Sequence, residues 1–245
     1  MPDALKSFGR THEARLLLVN LTLFIFLSVA AQGFFSLQNG LNLMTSYAFA
    51  GILAAGLVVV LVSGGIDISF TAVASIAQYL AVSAVTRYDG GWFMLFGVAL
   101  GVGLCLGLFN AVLITWLRIS SIIVTIALLN VYYGLLMFLS GGDPINSLPA
   151  WYADGLYWIL GEDEYGNPYI LSMQILGLVL AFMLSAILLN RLGVGRQLRA
   201  LGGNPEAAKR VGFSELRLNM VAYGFMGLMA GMASLVQAQV SQSVV

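Results

Sequence analysis

The chain is dominated by long stretches free of charged side chains, separated by short polar segments. In lipid there is no water to satisfy backbone N–H and C=O groups, so a spanning segment must satisfy them internally, as a helix or a closed barrel. A helical span needs roughly 17 to 25 predominantly apolar residues. About seven such stretches are present: Leu16–Ala31, Leu43–Val62, Phe70–Thr86, Trp92–Leu117, Ile119–Leu139, Ile170–Asn190 and Asn219–Val240. The expected fold is all-α, a polytopic transmembrane helical bundle, one transmembrane domain over residues 1–245. With 60% hydrophobic and 9% charged residues, the chain lies far from the roughly 25% charge of soluble domains. The first stretch follows Lys6, Arg10 and Arg15 and has the look of a signal peptide, but the spans after it favour a first span.

Charge is balanced, with 11 basic and 11 acidic residues, so nucleic acid is excluded as a partner and distribution becomes the signal. Basic residues favour cytoplasmic segments. An N-terminus inside the cell places Lys6, Arg10, Arg15, Arg118 and all six basic residues from Arg191 to Arg217 on the cytoplasmic side, leaving Arg87 outside. The long outer loop, Ser140 to Tyr169, carries Asp143, Asp154, Glu162, Asp163 and Glu164 but no Lys or Arg. Its Trp151, Tyr152, Tyr157 and Trp158 suit an interfacial belt in contact with lipid or a landing platform for an extracytoplasmic partner. The single cysteine, Cys105, permits neither an internal disulfide nor a thiolate metal cluster. No nucleophile–base pair, metal-ligand cluster or cofactor motif is present, so neither an enzyme nor a metal or cofactor protein is expected.

The longest cytoplasmic segment, residues 191–218, contains a polar island, Gly202 to Gly212, that reads as a short helix with its own punctuation. Asn204 suits the N-cap, Pro205 the first helical position, and Glu206 the positive end of the helix. Lys209 and Arg210 complement the negative end, and Gly212 supplies a left-handed terminator. Such a helix is too short to stand alone in water and must dock on something. A lipid-facing helix needs a broad apolar face. Glu206-Ala207-Ala208 offers instead a small, flat surface, which favours a protein groove.

A second polar interruption lies at Gly64-Gly65-Ile66-Asp67-Ile68-Ser69. Asp67 is the only charged residue between Arg15 and Arg87, and charge at such depth suggests function. Gly64 and Gly65 can break a helix, and Asp67 or Ser69 can cap the next one. A broken helix also exposes backbone to a cavity, so a gating or substrate-path role for Gly64, Gly65 and Asp67 stays open beside the cap. A proton relay wants a second buried carboxylate, and the spans offer none. Gln78, Asn110, Thr115, Thr125, Asn130, Tyr132 and Tyr133 either line a polar route or join helices, with Asn130 and Tyr133 the best pathway candidates. Gly97-x3-Gly101, Gly103-x3-Gly107 and Gly227-x3-Gly231 read as close helix-packing faces.

These residues resemble a known family. Glu206-Ala207-Ala208, three residues, then Gly212 is similar to the coupling motif of permease subunits of bacterial ATP-binding-cassette importers. Ala200-Leu201-Gly202-Gly203-Asn204-Pro205 before it, Gly64-Gly65-Ile66-Asp67-Ile68-Ser69, and Ser121 to Thr125 through Gly141-Gly142 resemble the simple-sugar group, which handles ribose, xylose, arabinose, galactose and autoinducer-2. The resemblance implies two permease subunits forming a pathway in the inner membrane, two cytoplasmic ATP-binding subunits, and an extracytoplasmic solute-binding protein that delivers a small neutral sugar. Asn204, Pro205, Glu206, Ala207, Ala208 and Gly212 would then couple to the ATPase, and no GxxxxGK[ST] phosphate loop of the chain's own occurs. Two departures stand out. Ser120-Ser121 replaces a frequent proline pair, and the chain ends at Val245, inside or just beyond the seventh span, so it is expected to be C-terminally incomplete. A permease for branched-chain amino acids or nucleosides is the nearest alternative. A self-powered secondary transporter would show inverted repeats or an acidic relay.

Overall fold

The structure, a computed structural model, describes residues 12–31, 33–162 and 168–244. Lys6 and Arg10, and Asp163 and Glu164 of the outer loop, lie outside the described residues. Helices fall on every predicted stretch: α1 (His12–Ala30), α2 (Leu37–Ser46) with α3 (Ala48–Val62), α4 (Phe70–Tyr88), α5 (Trp92–Leu117), and α6 (Ser121–Ser140). A short helix α7 (Ala150–Ala153) and a strand pair, β1 (Tyr157–Glu162) and β2 (Pro168–Ser172), precede α8 (Met173–Asn190). Then come α9 (Gly193–Gly203), α10 (Pro205–Arg210) and α11 (Glu215–Ser241). The fold is thus an all-α membrane bundle.

By length and composition four of these helices can cross a membrane, α5, α6, α8 and α11, and a fifth crossing results if α2 and α3 count as one. The other predicted stretches fall outside this length-and-composition test for identifiable reasons. The stretch Leu43–Val62 is broken at Tyr47, where α2 and α3 meet at 59°. α1 presents Ala14–Ala30 as a shorter apolar helix. α4 carries Thr71, Ser75, Gln78, Ser83 and Arg87, and it tolerates them because Ala74, Ala77, Gln78 and Ala81 face protein and not lipid.

α11 is the core of the bundle, with its 18-residue apolar window 72% buried against about a third for the other crossing helices. Its contact with α5 is made by backbone. A Cβ added to Gly103 would run into the Gly227 carbonyl, one on Gly107 into the Tyr223 carbonyl, and one on Gly231 into the Ala99 carbonyl. Lipid offers helices no hydrophobic drive to associate, so close approach of small residues supplies the dispersion energy. The third glycine pair expected to pack does not: a Cβ on Gly97 or Gly101 would meet no atom within 4 Å, and both lie on another face of α5. α3 joins α8 where the Ser185 hydroxyl donates to the Ala55 carbonyl at 2.9 Å.

The end opposite the basic residues is capped by the loop after α6. Tyr152 of α7 is fully buried and donates to the Leu235 carbonyl at 2.6 Å. Burial pushes its phenol above the ordinary tyrosine range. The Gln174 amide donates to Gln239 Oε1 at 2.8 Å, and Gln239 Nε2 donates to the Tyr152 carbonyl at 3.2 Å. Trp151 packs edge-on against Trp92, with ring centroids 4.9 Å apart. Two of the four loop aromatics therefore belong to the interior, while Tyr157 and Trp158, on β1, stay exposed. β1 and β2 pair antiparallel, Tyr157 opposite Ser172 and Glu162 opposite Pro168, with an irregularity between Ile159 and Gly161.

Candidate functional site

The polar island folds as its residues dictate. Asn204 is extended (φ −156°, ψ 97°) and its side-chain oxygen accepts the Ala207 N–H at 3.0 Å, freeing Pro205 to open α10. Gly212 closes it at φ +87°, donating to the Lys209 carbonyl at 3.0 Å while the Phe213 N–H reaches the Ala208 carbonyl at 3.0 Å. Lys209 Nζ lies 3.9 Å from Glu206 and 2.9 Å from Glu215, which fastens α10 to the start of α11. The Glu215 carboxylate holds the Lys209 ammonium above its ordinary value.

The predicted flat surface is divided. Ala207 is exposed and Glu206 keeps 77% of its side chain in solvent, but Ala208 is 3% exposed and belongs to the main core with Leu201 and Leu218. Successive helical residues point about 100° apart, so Ala208 cannot share the outer face with both neighbours. The outward surface is instead Glu206, Ala207, Arg210 and Val211.

The break after α3 is likewise present. α3 stops at Val62, Gly64 turns the chain at φ +86°, and α4 begins at Phe70. Asp67 Oδ1 accepts both the Ser69 N–H at 2.8 Å and the Ser69 hydroxyl at 2.7 Å, an Asx-type turn that leads into α4, whose N-cap position, Ser69, makes no side-chain cap bond; Asp67 itself is 2% exposed. Asn110 Nδ2 of α5 donates to Ser69 Oγ at 2.7 Å and lies 3.5 Å from Asp67 Oδ2. Asn110 Oδ1 in turn accepts the Tyr132 hydroxyl of α6 at 2.7 Å. One buried polar chain, Asp67–Ser69–Asn110–Tyr132, thereby ties the break to two helices.

α6 supplies two partners, Thr125, which sequence reasoning singled out as a route-lining or helix-joining residue, and Ser121, whose role it missed. Ser121 Oγ accepts the Ile66 N–H at 3.0 Å, and Thr125 Oγ1 accepts the Ile68 N–H at 3.2 Å. Ser120 adopts φ −52°, ψ 133°, backbone angles that a proline at this position would also allow. Serine adds an acceptor that a proline ring lacks, and that gain was the available signal. Asn219 likewise donates to Thr115 Oγ1 at 3.0 Å, joining α11 to α5.

Asn130 and Tyr133 are not drawn into this network. Among the described residues Asn130 donates only to the Ile126 carbonyl of its own helix at 2.9 Å, and Tyr133 is 39% exposed. Both lie on the side of α6 opposite Val124, Leu128 and Tyr132, which face the core. The structure thus brings Gly64, Gly65 and Asp67 near the island end of the molecule and leaves Asn130 and Tyr133 on a separate, open face.

Comparison with known proteins bears on this arrangement. The family model described as branched-chain amino acid transport system / permease component matches residues 39–245. The autoinducer 2 import system permease protein LsrC of Yersinia pestis (strain Pestoides F) is 32% identical over 238 residues, covering 96% of this chain. LsrC of Yersinia pseudotuberculosis serotype O:3 (strain YPIII) is 31% identical over a like span. The chain covers 64% of the length of these relatives. No solved structure matches it. With its family model covering 39–245 and its crossing helices in place, the chain belongs to this family of transport-system permease components and is a multi-pass inner-membrane protein.

Proposed function

We propose that the chain is the permease subunit, or part of it, of an ATP-driven importer for a simple sugar of the autoinducer-2 or pentose kind. The observation that carries this reading is α10, a capped helix whose Glu206, Ala207, Arg210 and Val211 face outward beyond the ends of the spans. Its partner is a pair of cytoplasmic ATP-binding subunits whose groove accepts that face, with Glu206 opposite a basic residue. A second permease subunit and an extracytoplasmic binding protein complete the pathway. Ala208 serves by seating the helix, Asn204, Pro205 and Gly212 by shaping it. Gly64, Gly65 and Asp67 act at the gate, and Asn130 and Tyr133 face the solute route. The energy enters through the partner, and this subunit contributes no nucleotide chemistry.

A second reading, transport of a branched-chain amino acid, is favoured by the description of the matching family. Its zwitterionic solute wants paired charges along the route, whereas the open face of α6 offers Asn130 and Tyr133, which suit hydroxyls. Co-expression with the cognate ATPase tests the main reading. The wild-type chain is expected to retain the ATPase through purification and to support ATP-dependent uptake of one of ribose, xylose, arabinose, galactose or autoinducer-2. The double variant Glu206→Ala, Gly212→Ala is expected to lose both. Retention of association and uptake by that variant overturns the coupling role, and uptake of leucine in place of sugars selects the second reading.

A further inference from the structure

Between the island and the break two glycine backbones touch. A Cβ on Gly202, in the last turn of α9, would run into the Val62 carbonyl and stand 2.9 Å from Gly64 N. A Cβ on Gly64 would stand 2.9 Å from Gly202 Cα, and Gly64 holds φ +86°. Neither position accepts a side chain unless backbone moves.

Each glycine leads on to a different part of the molecule. Gly202 connects through Asn204, which ends α9 by donating its N–H to the Ala200 carbonyl at 3.0 Å and caps α10 with its side chain. The two short helices therefore share a junction residue. Gly64 connects to Ile66 and Ile68, whose N–H groups are held by Ser121 and Thr125 of α6. Beside the contact lies a cavity of about 160 Å³, lined in part by Ser121, Pro205, Asn219 and Tyr223. Tyr223 is 1% exposed, and a Cβ on Gly65 would run into its hydroxyl. Close-packed backbone transmits displacement, and the adjoining cavity leaves room for it.

We propose that Gly202 and Gly64 are the positioning pair through which α10 moves the membrane part. A displacement of α10 is passed through α9 to the broken segment by direct backbone contact, and from there through Ser121 and Thr125 to the first turns of α6. The inference rests on the coupling reading above and adds the route. Gly202, Ser121 and Thr125 are positioning residues in it, since none need touch nucleotide or solute.

The test uses the complete importer complex in nanodiscs, with Cys105→Ser as background and spin labels on Ile123→Cys of α6 and Ile187→Cys of α8, both exposed positions. ATP with vanadate is expected to shift the label distance by about 2 Å or more, the scale of helix shifts in switching proteins. Gly202→Ala is expected to lose at least half of that shift, with ATPase retention unchanged and basal ATP hydrolysis within about twofold of wild type. Thr125→Val, which keeps volume but removes the acceptor for Ile68, is expected to blunt the shift likewise and carries the test if Gly202→Ala fails to fold. A full nucleotide-dependent shift in the folded variants overturns the proposed route while leaving the coupling reading intact. A wild-type chain that retains no ATPase overturns the coupling reading itself.

Discussion

Asp67 is buried with its first carboxylate oxygen committed to two donors of Ser69, so its removal strands groups that have no water to turn to. Asp67→Ala is expected to destabilise the protein by about 2–3 kcal/mol, the cost of leaving buried donors unsatisfied. Asp67→Asn keeps an acceptor for Ser69 and should fall between, read as the midpoint of thermal unfolding in detergent. Equal midpoints for all three proteins would deny these bonds any part in stability. Asn130→Ala makes the contrast, because its amide serves only its own helix; a change within about 0.5 kcal/mol is expected. Residues of this kind differ in how legible they are. Asp67 announces itself as a lone charge in apolar sequence, and Asn204 and Gly212 through their place around a helix. Ser121 does not, because its role depends on the Ile66 N–H arriving from 55 residues away.

At the scale of elements, α5 and α11 offer an internal comparison. Gly103→Leu drives a side chain into the Gly227 backbone and is expected to cost about 3 kcal/mol or more, whereas Gly101→Leu, with nothing within 4 Å, should be neutral or slightly stabilising. Comparable expression and thermal midpoints for both would deny the backbone contact. The sequence shows the two glycine rows alike, and only the rotation of α5 against α11 separates them. For α10, Asn204→Ala removes the cap at a cost of about 1 kcal/mol, so ATPase affinity should fall by roughly fivefold in a binding titration. The α10 to α11 tie has a pH signature. Glu215 raises Lys209 above its ordinary value, so its contribution is complete below that value and is lost as pH rises through the higher folded one. Docking of α10 should therefore be insensitive to pH near neutrality and loosen only in strong alkali, which amide exchange at Ala207 can follow. Helix existence was readable from apolar length, but the bend at Tyr47 was not, since Ser46-Tyr47-Ala48 holds neither glycine nor proline. The β1–β2 pair was equally hidden: Tyr157 to Leu160 is a continuous apolar run without alternation, and its strand character comes from pairing with Pro168–Ser172.

For the whole molecule, everything proposed about α10 depends on which side of the membrane it faces. Helix order and charge agree on one answer. Arg118 follows the end of α5 and Arg191 that of α8, and α9 and α10 carry Arg196, Arg199, Lys209 and Arg210, so these basic residues lie beyond the ends of descending helices. Arg87, in the last turn of α4, belongs with the exposed Trp158 of β1 at the opposite end. The bias of Lys and Arg toward cytoplasmic loops then puts α10 inside the cell and the hairpin outside. In a Cys105→Ser background, a thiol reagent that cannot cross membranes should label Trp158→Cys on intact spheroplasts and Arg210→Cys only after permeabilisation. The reverse pattern would put α10 out of reach of any cytoplasmic ATPase and would dismiss the coupling role whatever the helix's shape. Labelling of Arg210→Cys that is further suppressed by co-expressed ATPase, with Trp158→Cys unaffected, would place the partner on the face formed by Glu206, Ala207, Arg210 and Val211.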